Sequence, residues 1–303
     1  MVDNLHPRSG HERTSDMDPS RLRSALLAAV RGGSGRRPAH RVPAYAAPYA
    51  DRVAALDVLL TALPASGWAA VVVHGWTPAG VAGHLMAVDG LLAAALGAPV
   101  IGPSAAGDDP ESRTDLVLDA LRDRPGAEAA DRWREQAAAL CHHLNTADSL
   151  PGEEERITAT AVTMRLRDHL AMRAYETWMH SADICSGAAG GLEFPLPVPE
   201  HVHTLSQFGC RLLRTSMMIA AGGAPDERAA RITLTGPGGG TRVVYFGRER
   251  VEPAAEIEMD VIDFCFLLGD RLGPDEIEAT VTGDPGLARE VLTAAPLVTR
   301  VRR

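Results

Sequence analysis

Tyr175-Glu176-Thr177-Trp178-Met179-His180 decides how this chain is read. The stretch has helical character, and residues at i and i+4 of a helix share one face, one turn apart. Glu176 and His180 stand at that spacing, so a carboxylate and an imidazole can reach one cation. Ala174, Trp178, Met179 and Ala182 frame them, so this is not a simple solvated face. Burying an unpaired carboxylate is costly, and a metal would relieve that cost. Far upstream, in Gly75-Trp76-Thr77-Pro78-Ala79-Gly80-Val81-Ala82-Gly83-His84-Leu85, His84 offers a third donor. Two His and one Glu form a three-ligand zinc set that leaves one position open, which catalysis needs and a structural site avoids.

Each residue also has a plainer role open to it. His84 alone reads as a core histidine beside Leu85, and Glu176 with His180 as an i,i+4 pair worth a few tenths of a kcal/mol. His169, seven residues before Glu176, could approach as a fourth ligand and close the site. His142-His143 beside Cys141 point about 100° apart on a helix and share one ion poorly. His201 and His203, two apart, make a poor helical chelate. The chain has no H-E-x-x-H, G-x-S-x-G or phosphate-binding loop.

Outward from the stretch, apolar spacing is helical from Tyr45 to about Ala221. Helices are expected over Tyr49–Leu63, from Pro78 to about Leu96 with Thr77 as N-cap, and over Pro110–Leu121, Ala127–Leu144 and Pro199–Ile219. One long helix is expected from about Ile157 to Cys185, ended by Gly187 and Gly190. The pattern then changes. Arg231–Thr235 and Arg242–Phe246 read as strands around a Gly236–Gly240 turn, Val261–Leu268 as a helix, Ile277–Val281 as alternating, and Gly286–Ala294 as a helix. The expected division is a disordered N-terminal extension (1–42) with a short helix over Pro19–Val30, a helical domain (43–222) and a smaller α+β domain (223–303).

The 303 residues suit about two domains of roughly 150 each. A formal charge of −9 argues against a nucleic-acid partner. All 30 basic residues are Arg, a composition of high-GC coding. Cys141, Cys185, Cys210 and Cys265 form no C-x-x-C pair and read as buried thiols of a reducing compartment. No apolar run reaches the about 20 residues of a membrane span, and no secretory signal is legible, so a cytoplasmic location without a membrane partner is expected.

Three stretches, in order, resemble the mycothiol-dependent maleylpyruvate isomerase family within the wider DinB-like metal proteins: Gly75-Trp76-Thr77 with Gly83-His84-Leu85; Ala171 through Asp183; and Asp263 through Arg271 with Val281-Thr282-Gly283-Asp284. The match covers roughly Tyr45 to Pro296. It implies an α+β protein: a DinB-like up-down four-helix bundle holding a metal between its helices, with a smaller C-terminal α+β domain over the mouth. The family's ligands fall on His84, Glu176 and His180, its metal is zinc and its cosubstrate mycothiol. The arginine that helps hold an anionic substrate falls best on Arg271, with Arg248 as runner-up. The chain departs from the family in its N-terminal extension and in Tyr245-Phe246, where a tryptophan is usual.

The reaction expected is mycothiol-dependent S-transfer or thiol exchange on a small electrophile. The alternatives are cis–trans isomerisation of the maleylpyruvate type, or a non-catalytic protein that binds a metal or small ligand. Arg173 is a candidate partner of the Glu176 carboxylate, and Asp183 a candidate to orient His180 or a thiol amine. Since residues 1 to about 40 show no core-facing period, a chain beginning near Arg41 should keep the parent melting temperature and metal content. A large loss of either in a thermal melt or metal assay would show that the extension packs on the body.

Overall fold

The computed structural model describes residues 39–104, 107–188, 192, 196–223 and 227–296. The expected helix over Pro19–Val30 and all but the last residues of the expected extension lie outside these. Five helices come first: α1 (Ala47–Ala62), α2 (Pro78–Leu96), α3 (Pro110–Leu121), α4 (Gly126–Thr146) and, after a short hairpin, α5 (Leu166–Gly187). Helices α1, α2, α4 and α5 form a four-helix ring: α1 packs on α5 and α4, and α2 packs on α4 and α5. Helix α3 lies outside the ring against α2.

Local chemistry sets the ends of these helices. Thr77 caps α2 by accepting from Gly80 N, Pro78 takes its first position, and Gly97 leaves it at φ 75°, a left-handed stop that glycine adopts without a Cβ clash. Asp109 caps α3 through Ser112 N at 2.8 Å. By length and composition α2 could cross a membrane, contrary to the sequence expectation that no run is apolar enough. Its residues are instead mostly buried within the bundle, which is why it is apolar on nearly every side.

The expected long helix from Ile157 is corrected. Strands β1 (Arg156–Ala159) and β2 (Val162–Arg165) pair antiparallel, and α5 starts only at Leu166. Ile157, Thr158, Val162 and Thr163 are β-branched and favour extended backbone. Thr160 and Ala161 form the two-residue turn with φ 53° and 59°. Two positive φ values match the turn that suits a hairpin's twist. Neither residue is Gly or Asn, so the usual turn signal is missing from the sequence.

Helix α6 (Pro199–Ala220) packs against α5 on one side and against the C-terminal segment on the other. That segment holds β3 (Ala229–Thr235), β4 (Gly240–Tyr245), β5 (Ala255–Asp260), α7 (Val261–Leu268), β6 (Thr280–Gly283) and α8 (Pro285–Ala294). The sheet order is β4-β3-β5-β6, with β3–β5 parallel and the outer pairs antiparallel. Strand β5 went unread in the sequence, although Ala255, Ile257 and Met259 alternate with Glu256, Glu258 and Asp260 and point inward. The stretch expected to alternate from Ile277 is strand only from Thr280. One continuous core joins both halves. At their seam Trp178 of α5 meets Phe266 of α7 edge-on with centroids 5.9 Å apart, and the Tyr175 hydroxyl donates to the Cys265 carbonyl.

Arg113 fixes α3 on α2. Its guanidinium, buried to 1% exposure, donates to the carbonyls of Met86, Ala87 and Ile101. A Cβ on Gly90 would collide with that guanidinium. Gly90→Ala should therefore destabilise the fold by about 1 to 3 kcal/mol, the usual cost of overpacking. A urea midpoint equal to that of the parent would contradict this packing.

Candidate metal centre and its cavity

His84 sits in the second turn of α2, while Glu176 and His180 stand one turn apart on α5. Because α2 packs on α5, the three donors meet, and one atom from each lies within 4.8 Å of the others. His84 Nε2 is 2.6 Å from Glu176 Oε1. The structure thus brings together the three residues that the sequence singled out as ligands. Among the described residues no fourth His, Cys, Asp or Glu joins them. His169 Nε2 donates to the Ile157 carbonyl, 3.1 Å away, and secures the hairpin instead. His143 is engaged by the Leu96 carbonyl and His201 by Asp51.

Each donor is held from behind. His84 Nδ1 lies 3.1 Å from Thr114 Oγ1 on α3, which leaves Nε2 for the centre. His180 Nδ1 lies 2.9 Å from Asp183 Oδ2, which likewise leaves Nε2. Arg173 Nη2 donates to Glu176 Oε2 while Glu176 Oε1 faces the imidazoles. Behind Arg173, its Nε is 3.2 Å from Asp89 Oδ1, and both residues are buried. Thr114 and Asp89 were not singled out in the sequence. Thr114 carries no signal of its own; Asp89, a lone acid in an otherwise apolar helix, carried one.

The electrostatics suit cation binding. Burial opposes ionisation of Glu176, but Arg173 and the hydrogen bond from His84 hold its carboxyl well below the usual range. Burial lowers the His180 pKa against the opposing pull of Asp183, favouring the neutral ring that a metal requires. Burial also works on Asp183, yet its bond to His180 and the charge of Arg271 bring it to about 2. Two imidazoles and one carboxylate, with an open side, fit a divalent cation of the zinc type.

That open side is a cavity of about 810 Å³. Trp76 stacks over the centre, its ring 4.8 Å from His84 and 6.5 Å from His180. The sequence placed Trp76 in the Gly75-Trp76-Thr77 motif without a role at the centre. The turn at His74 and Gly75, both with positive φ, aims it inward. Met172, Tyr175 and Met179 supply apolar wall from α5. Arg271, just after α7, also lines the cavity. Its Nε and Nη2 donate to Asp183 at 3.1 and 2.5 Å, and its Nη1 donates to the Gly269 carbonyl. Arg248 is exposed on the loop after β4 and does not line the cavity. No cysteine lines it either, and burial raises the thiols of Cys141 and Cys185 to about 12 and that of Cys210 to about 11.

Comparison with known proteins agrees with this architecture. Residues 49–185 match the family described as mycothiol maleylpyruvate isomerase N-terminal domain. Two solved structures are similar: a mycothiol-dependent maleylpyruvate isomerase, at 14% identity and TM-score 0.50, and a histidine-to-alanine mutant of such an enzyme, at 15% and 0.49. Each alignment covers 79% of this chain and 92% of the other. At this identity the likeness to the first of them speaks for the fold alone. No curated protein matches the chain.

The contact behind His84 generates a test. Thr114→Val keeps the shape and removes the hydroxyl partner of Nδ1. Metal affinity should fall by roughly tenfold or more, the usual scale for an outer partner of a ligand, with little change in melting temperature. A chelator competition giving the parent affinity would mean that Thr114 does not orient His84.

Proposed function

We propose that this chain, whose residues 49–185 match the mycothiol maleylpyruvate isomerase N-terminal domain family, is a metal-dependent enzyme that uses mycothiol to act on a small electrophile by S-transfer or thiol exchange. The observation that carries this reading is the convergence of His84, Glu176 and His180 on the floor of a cavity, each donor held from behind by a different side chain. A divalent cation bound there, zinc by resemblance, would favour the thiolate form of a thiol brought to it.

The protein's own residues do the rest. Arg173 keeps Glu176 ionised, Asp183 turns His180 Nε2 towards the centre, and Thr114 does the same for His84. Trp76, Met172 and Met179 give the reacting atoms an apolar wall. No cysteine lines the cavity to supply a nucleophile, so the attacking sulfur is exogenous. Its thiolate adds to the electrophilic carbon, forming a C–S bond while the π bond at that carbon breaks and its electron pair moves onto the conjugated neighbour. If a leaving group departs from that carbon, or the adduct persists, the outcome is S-transfer. If the adduct rotates and expels the same thiol, the outcome is cis–trans isomerisation. The family match favours that second reading. The expected setting is the cytoplasm, with a low-molecular-weight thiol and a small metabolite as partners.

In this reading Arg271 is a positioning residue. Its charge is directed at Asp183, which sets the His180 ring, and through it the C-terminal segment reaches the centre.

His84→Ala should lose the metal and the activity while keeping the far-UV circular dichroism spectrum. Full metal occupancy by mass spectrometry in that variant would remove His84 from the ligands. Arg271→Ala should weaken metal affinity and lower turnover, each by roughly tenfold, with Arg271→Lys recovering part of both. A lower melting temperature with unchanged affinity and turnover would reduce Arg271 to a structural brace.

A further inference from the structure

Thr160, Ala161 and Val162, at the tip of the β1–β2 hairpin, line the cavity and take no part in the candidate metal centre. The hairpin is pinned along its length. His169 Nε2 donates to the Ile157 carbonyl at 3.1 Å, the Thr158 and Thr163 hydroxyls lie 2.7 Å apart, and Ala161 N donates to Asp108 Oδ2 at 3.2 Å. At the tip Thr160 is held at φ 53°. A β-branched residue rarely adopts that conformation, and such positions persist only where the surroundings over-determine them. Thr160 is also buried for a turn residue: it is 5% exposed, while Ala161 beside it is exposed. The Thr160 hydroxyl has no hydrogen-bond partner among the described residues, yet it is not one of the polar atoms sealed in the core. A buried hydroxyl without a partner is costly. Here the open side of the residue is the cavity.

We infer that Thr160 determines specificity: its hydroxyl forms a hydrogen bond with an uncharged hydroxyl or amide group on the body of the thiol. This rests on the reading of the cavity as a thiol-dependent site. A thiol whose sulfur meets His84, Glu176 and His180 directs the rest of its body away from that floor. The cavity, at about 810 Å³, has room for a ligand much larger than an alkyl thiol. A threonine hydroxyl both donates and accepts and carries no charge, so it suits a neutral polar group. Because the hairpin is pinned, the hydroxyl is in place before the ligand arrives, and little ordering remains to oppose binding.

The test uses the full-length zinc-loaded protein and two thiols: mycothiol, whose body carries hydroxyl and amide groups, and ethanethiol, which has neither. Isothermal titration compares the parent with two variants. Thr160→Val keeps the β-branched shape and removes the hydroxyl; Thr160→Ser keeps the hydroxyl. Thr160→Val should bind mycothiol roughly fivefold to tenfold more weakly, the scale of one neutral hydrogen bond, with ethanethiol affinity and zinc content unchanged. Thr160→Ser should bind mycothiol as the parent does. Equal mycothiol affinity in the parent and the valine variant, or a loss shared by ethanethiol or by the serine variant, would overturn the inference while leaving the thiol-dependent reading intact. Binding of neither thiol to the zinc-loaded parent would overturn both.

Discussion

The arrangement depends on keeping one carboxylate ionised inside a helical bundle. Glu176 stays charged because Arg173 is on it, and Arg173 stays buried because Asp89 is behind it. Asp89 is wholly buried, and burial raises its pKa against the pull of Arg173, Tyr49 and Trp133. Breaking such a buried pair by removing one partner costs about 3 to 5 kcal/mol, because the other charge is left alone. Asp89 and His84 both belong to α2, one facing the core and one the cavity, so the charge line also sets how α2 and α5 approach.

Around that line each candidate ligand has a separate support. Arg113 pins α3 to α2 and so places the neighbouring Thr114 behind His84. Asp183 lies behind His180 and is clamped by Arg271 from beyond α7. The ring of four helices therefore supplies the donors, while α3 and the C-terminal segment supply their orientation. Packing and chemistry are coupled: a shift of α7 against Trp178 would be felt at His180 through Arg271 and Asp183.

Much of this was legible in the chain, for reasons that differ by residue. Helix α2 announced itself through Thr77-Pro78, where a capping side chain and proline act locally. The Glu176–His180 spacing was readable because helical periodicity needs no partner to be interpreted. The β1–β2 hairpin was hidden by its Thr160-Ala161 turn, whose positive φ values are imposed by context. Strand β5 showed regular alternation and was passed over. Arg271 could be placed near a substrate by resemblance, but its engagement with Asp183 depends on how α5 and the C-terminal segment pack, which no local pattern records. Thr114 and Trp76 became part of the site by the same route, through tertiary placement of residues whose local role is ordinary.

If His84, Glu176 and His180 hold a metal whose open side accepts the sulfur of a thiol, zinc K-edge X-ray absorption of the loaded protein, recorded with and without mycothiol, will register the change. Nitrogen and oxygen scatterers alone are expected at about 2.0–2.2 Å in the free protein, and one added sulfur at about 2.3 Å with the thiol. A spectrum that gains no sulfur scatterer, or that shows a closed four-ligand protein site before the thiol is added, would contradict this assignment.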